Sequence, residues 1–179
     1  RRSMPGPGAF IEAEGLVKIY EGGVKALDNL TFSSGARVVG LIGPNGAGKT
    51  TFVRIAATLL KPTGGSLRVL GVDVVGEPSK VKRFISLVPQ DVSPDSRSTV
   101  YDHVFYYLVA RGYSFSDARR RVKEVLELFD LWSLRNTPCI KLSGGQRKLV
   151  IVAAALAPHE AEAVFLDEPT AGLDPANRA

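Results

Sequence analysis

The chain has 179 residues, 45% of them hydrophobic and 23% charged, with a formal net charge of +5. Those proportions suit one globular domain with a buried core and exclude a disordered or fibrous chain. The longest uncharged apolar run, Leu149 to Ala157, is nine residues, far short of the roughly 20 that span a bilayer as a helix.

In chain order, residues 1–8 carry charge with no apolar segment behind it, which fails as a secretory signal and reads as a flexible leader. The domain is then expected over 9–179. Phe10 to Tyr20 and Leu27 to Phe32 have β-type composition and are separated by Gly22-Gly23 and the turn-prone Asp28-Asn29, which predicts small antiparallel strands. Arg37 to Ile42 is a compact apolar run of the buried-strand type. A glycine-rich loop and a helix from Lys49 to about Leu60 follow, stopping before Pro62. Further strands are expected at Leu67 to Val72 and Phe84 to Val88, the second ending at Pro89-Gln90.

From Asp91 to Lys141 the character is helical. Val122, Val125, Leu126 and Phe129 recur at the spacing of one helix face, while Arg119, Lys123, Glu124 and Glu127 fall largely elsewhere. The basic run Arg119 to Arg121 lies in this pattern among acids, so it reads as a solvated helix face and no nucleic-acid partner is expected. The single cysteine, Cys139, excludes an internal disulfide and fits a reducing compartment. A helix over about Gly144 to Ala157 and a strand over Ala163 to Leu166 complete the reading. Strands alternating with helices imply an α/β fold with a helical insert at one side.

The strongest chemical signal is Gly43-Pro44-Asn45-Gly46-Ala47-Gly48-Lys49-Thr50, the full GxxxxGK[ST] pattern between a predicted strand and a predicted helix. Its glycines let the backbone turn sharply and aim successive N–H groups at an anion at the positive end of a helix. Lys49 adds charge on the terminal phosphates of a nucleotide. The Thr50 hydroxyl is the expected Mg²⁺ ligand, and Thr51 is placed to bond a neighbouring phosphate. Ala163 to Leu166 ends in Asp167-Glu168, of which Asp167 is expected to hold Mg²⁺ and Glu168 to deprotonate the attacking water. Read alone, the pair is equally a buried strand ending in solvated acids. Leu142-Ser143-Gly144-Gly145-Gln146 opens the helix before that strand. Ser143 and Gln146 form the spacing of a capping box, and a Ser-capped start with two glycines also exposes N–H groups to an approaching anion.

Together these residues resemble the nucleotide-binding domain of ATP-binding cassette proteins, from Phe10 to Pro175. The resemblance implies an ABC ATPase fold: a P-loop NTPase core sheet, an N-terminal antiparallel β subdomain and a helical insert over about 91–141. It makes Gly43 to Thr51 the Walker A loop, Gln90 the Q-loop residue, Leu142 to Gln146 the signature, Asp167-Glu168 the Walker B pair and Ala171-Gly172-Leu173-Asp174 the D-loop. Tyr20 matches the family's adenine-stacking aromatic, set against its reading as an ordinary strand tyrosine.

The resemblance further implies ATP and Mg²⁺, with Thr50, Gln90 and Asp167 toward the metal. It implies a head-to-tail dimer in which Ser143, Gly144, Gly145 and Gln146 reach the partner's nucleotide and Asp174 communicates across the interface. A transmembrane permease would dock on the helical insert, placing the subunit on the cytoplasmic face of the cell membrane; the local pattern is closest to export-type subunits. The family continues past the D-loop to a switch histidine, which falls outside these 179 residues, so the C-terminal part of the fold is expected to be missing and turnover by these residues alone is not part of the expectation. His103 and His159 read as surface or capping residues. Ala153-Ala154-Ala155-Leu156 departs from the family, which usually has an arginine before the Ala-Leu pair, and is expected to affect packing. The alternative is a soluble cassette ATPase without a permease, or a nucleotide-binding module without efficient hydrolysis.

Overall fold

The computed structural model describes residues 9–167, in two compact units that divide between Ile85 and Ser86. The first unit is built on an antiparallel sheet. Strand β1 (Ile11–Ile19) pairs with β2 (Lys25–Ser34) on one edge and β3 (Gly64–Val69) on the other, and β3 pairs with the short β4 (Val72–Asp73), giving the order β2-β1-β3-β4. Ile11 and Ala13 are buried by the alternation of a strand, but the next buried residue is Leu16, an odd step along the chain. The register shift between Ala13 and Leu16, with Gly15 at φ +55°, is the bulge that absorbs the extra residue and returns Leu16 to the core.

Helix α1 (Lys49–Ala56) buries Phe52, Val53, Ile55 and Ala56, and the Phe52 ring packs 5.5 Å from that of Phe32 on β2. It stops one turn earlier than the sequence suggests. Thr58 takes φ +60°, and the N–H groups of Leu59 and Leu60 both turn back to donate to the Arg54 carbonyl. The segment expected as a strand over Leu67 to Val72 is also cut, because Leu70 and Gly71 both adopt positive φ and join β3 to β4 as a two-residue hairpin turn. A short helix α2 (Pro78–Phe84), absent from the sequence reading, starts with Pro78 in its first turn, where a missing N–H costs nothing.

One expectation is overturned. Arg37 to Ile42 forms no strand; Val38 is 88% and Ile42 100% exposed. An apolar run becomes a buried strand only when neighbouring strands satisfy its backbone on its edges and other elements cover its faces. Among the described residues the four-stranded sheet closes without this segment, and no strand pairs with it.

The second unit is mainly helical. Strand β5 (Ile85–Val88) pairs with β6 (Ala163–Leu166). Helix α3 (Val100–Ala110) starts at a Thr99/Asp102 capping box, and α4 (Phe115–Leu128) is capped by the Ser114 side chain. Helix α5 (Gly144–Leu156) carries small residues on its inner face. Val104 and Leu108 of α3, Val122, Val125 and Leu126 of α4 and Ala153 and Ala154 of α5 pack into one core with Leu131, Cys139 and Leu142. The amphipathic face read from the sequence is the buried face of α4, with Phe129 partly buried at its end. The three alanines at 153–155 are buried.

Tyr113 ties the α3–α4 turn to the segment after α5: its hydroxyl donates to Glu160 Oε2 at 2.6 Å and accepts from the His159 N–H at 2.7 Å. Burial and Glu160 push the Tyr113 hydroxyl above its ordinary range. His159 is exposed, whereas His103 is half-buried, and that burial holds it below its ordinary 6.5 against the opposing field of Asp95. His103 lies near the start of α3, beside but outside the core that Val104 and Leu108 line.

Candidate nucleotide site

The glycine-rich loop over residues 43–48 lies in the first unit, directly ahead of α1. Gly46 at φ +82° and Gly48 at φ +84° turn the chain, and the Ala47 N–H donates to the Pro44 carbonyl at 3.2 Å. Gly48 is the N-cap of α1. It offers no side chain to the helix, and the first turn contains no acidic residue. A helix start without a capping oxygen or a carboxylate leaves its first N–H groups and its positive end for an outside anion. Lys49 Nζ donates to the Gly43 and Pro44 carbonyls, each at 2.8 Å, so the ammonium is braced against the loop it serves. The loop therefore fits a phosphate chain.

Gly48 is required twice. Its backbone is left-handed, and a Cβ there would stand 2.3 Å from the Ala26 carbonyl oxygen and 2.8 Å from Leu27 Cδ2 on β2. Gly48→Ala is expected to cost about 1–2 kcal/mol from the backbone alone, with the overlap added, and to open the loop. A lowered denaturant midpoint together with weaker ATP binding would show this; an unchanged midpoint would contradict it.

Tyr20 follows β1 and is 37% exposed. The structure brings it to the phosphate-loop helix: the Tyr20 and Thr51 hydroxyls share a hydrogen bond of 3.2 Å, and Thr51 is 7% exposed. Lys18 was not singled out in the sequence, yet its Nζ lies 5.5 Å from the Tyr20 ring centroid. The signal was available, since residues two apart on a strand share a face.

In the second unit, β5 leads to Gln90 and β6 to Asp167. The Asp167 N–H donates to the Val88 carbonyl at 3.0 Å, so the C-terminal ends of the two strands lie side by side, with Gln90 two residues beyond one and Asp167 directly after the other. Asp167 is 5% exposed and Gln90 is exposed. Thr50 in the first unit and Asp167 in the second each carry, taken separately, a hard oxygen donor of the kind that Mg²⁺ takes. Glu168 and Ala171 to Asp174 lie outside the described residues.

At the start of α5 both bonds of the capping box form: the Ser143 hydroxyl accepts from the Gln146 N–H at 3.2 Å, and Gln146 Oε1 accepts from the Ser143 N–H at 2.9 Å. Arg147 Nη1 donates to the Leu142 carbonyl at 2.6 Å and fixes the segment from behind. Ser143, Gly144 and Gly145 are exposed, and a Cβ built on either glycine would meet nothing within 4 Å. The described fold thus gives no steric reason for two glycines that weaken a helix start.

Residues 27–171 match the family described as ABC transporter. The chain is 42% identical over 173 residues to the daunorubicin/doxorubicin resistance ATP-binding protein DrrA of Streptomyces peucetius, covering 96% of this chain and 52% of that one. It is 38% identical over 171 residues to the cobalt import ATP-binding protein CbiO of Rhodobacter capsulatus, covering 92% of this chain and 60% of that one. Among solved structures it is similar to CbiO1 of Clostridium perfringens, part of the ABC transporter complex CbiONQ, with a TM-score of 0.80 and 30% identity over 94% of this chain and 69% of that one. The chain spans about half the length of the curated DrrA relatives it matches.

Proposed function

This chain belongs to the ABC transporter family and has the ABC ATPase fold, and on that premise we propose that it is the ATP-binding and ATP-hydrolysing part of a transporter whose membrane-spanning permease is a separate subunit. The observation that carries the reading is the bare start of α1, with Lys49 braced beside it on the Gly43 and Pro44 carbonyls. Gly43 to Thr51 bind the phosphates, and Tyr20 stacks on the adenine. Mg²⁺, held by Thr50 and Asp167 with Gln90 toward it, would neutralise charge that develops on the phosphates. Glu168 takes the proton of the attacking water.

The exposed Gly144 and Gly145 support the dimer. Gly is the second-worst helix former after Pro, costing about 1 kcal/mol relative to Ala in a helix interior, and no neighbour within the described chain needs the space. Close approach of a second subunit's nucleotide to the α5 start would need it, with Ser143 to Gln146 acting in trans and Asp174 across the same interface. Gln90 senses the γ-phosphate and metal, and the permease docks on the helical insert, which places the subunit on the cytoplasmic face of the membrane. Among the described residues no helix is long and apolar enough to cross a membrane. The names of two relatives support a transporter subunit and pull in different directions on polarity. The export-type reading draws on the higher identity to the drug-resistance protein.

Closure is tested by light scattering on the full-length Glu168→Gln protein, in which turnover is expected to be slow. Saturating Mg-ATP is expected to double its mass; a mass that stays monomeric contradicts the head-to-tail dimer.

A further inference from the structure

We propose that the Tyr20 hydroxyl is a positioning group for Thr51, so that one residue serves both ends of the nucleotide: its ring the base, its hydroxyl the phosphate loop. This rests on the reading of Gly43 to Thr51 as the phosphate site and adds a role that base stacking does not require.

Thr51 is the third residue of α1, and its side chain is buried. A threonine hydroxyl in a helix has a local alternative, donation to the carbonyl three or four residues back, here Gly48 or Ala47. A hydroxyl that donates backward has no proton left for an anion in front of it. When Tyr20 donates to Thr51 Oγ1 across the 3.2 Å contact, it holds the oxygen forward and leaves the single Thr51 proton for a phosphate oxygen.

Tyr20 is itself held independently of the loop. Its N–H donates to the Val24 carbonyl at 2.9 Å, and its own carbonyl accepts from the Gly23 N–H at 3.0 Å. The Lys18 ammonium stands over the ring while donating to the Lys61 carbonyl at 2.9 Å. The hydroxyl is therefore delivered from a braced turn, and ordering Thr51 costs little at the moment of binding.

Inorganic tripolyphosphate with Mg²⁺ separates the two roles, because it has phosphates and no base. In the full chain, Tyr20→Phe keeps a ring and removes the hydroxyl. Its affinity for tripolyphosphate is expected to fall about three- to tenfold, the scale of one hydrogen bond, and its affinity for ATP by the same factor. Thr51→Val is expected to show an equal loss, the double variant no more than Thr51→Val alone, and Thr51→Ser, which retains the hydroxyl, wild-type binding. Wild-type tripolyphosphate binding by Tyr20→Phe, or losses that multiply in the double variant, would overturn the proposal. Lys49→Ala run beside them isolates the premise. If Lys49→Ala binds tripolyphosphate poorly while Tyr20→Phe binds it normally, only the hydroxyl's role fails; if Lys49→Ala binds it as well as wild type, the phosphate-loop reading fails with it.

Discussion

Replacing Glu168 by Gln in the full-length protein is expected to lower ATP turnover by about a hundred- to ten-thousandfold and to leave Mg-ATP binding unchanged. The substitution conserves size and hydrogen-bonding reach but removes the only property the proposed role uses, a carboxylate able to accept a proton from water. Asp167, the preceding residue, has its backbone pinned to Val88 at the end of the β5–β6 pair, so the anchor of the segment is untouched. Phosphate release and calorimetric binding, measured on the same preparation, separate the roles. Loss of binding in parallel with loss of turnover would make Glu168 a structural residue and remove the general base from the mechanism.

The second large effect is on binding. Lys49→Ala removes charge-assisted contacts to phosphate worth roughly 1.5–3 kcal/mol, so ATP affinity is expected to fall about ten- to a hundredfold. The same ammonium holds the Gly43 and Pro44 carbonyls, and its loss also releases the loop. A titration with a fluorescent ATP analogue reads the change directly. Unchanged affinity would remove Lys49 from the site.

The legible part of this protein is the part whose chemistry is local. Gly43 to Thr51 and the Ser143/Gln146 capping box are fixed by neighbours within a few residues, and in the structure the helix starts fall where those residues place them. The amphipathic face of α4 was legible because a helix repeats its burial every turn. Arg37 to Ile42 was not, because its apolar composition states what a strand would bury and nothing about which strands flank it. The early end of α1 and the β3–β4 turn depend on Thr58 and Leu70 taking positive φ, a conformation that β-branched or bulky residues do not advertise. The Tyr20–Thr51 contact joins residues 31 apart in the chain, and no periodicity points from one to the other.

Purification of the full-length protein from its source cells in mild detergent tests most directly whether a separate permease accompanies it. A polytopic membrane protein in fixed proportion, in a complex that hydrolyses Mg-ATP, is the predicted result. Recovery with ribosomes or DNA, and with no membrane protein, would contradict it and favour a cassette ATPase that works without a permease.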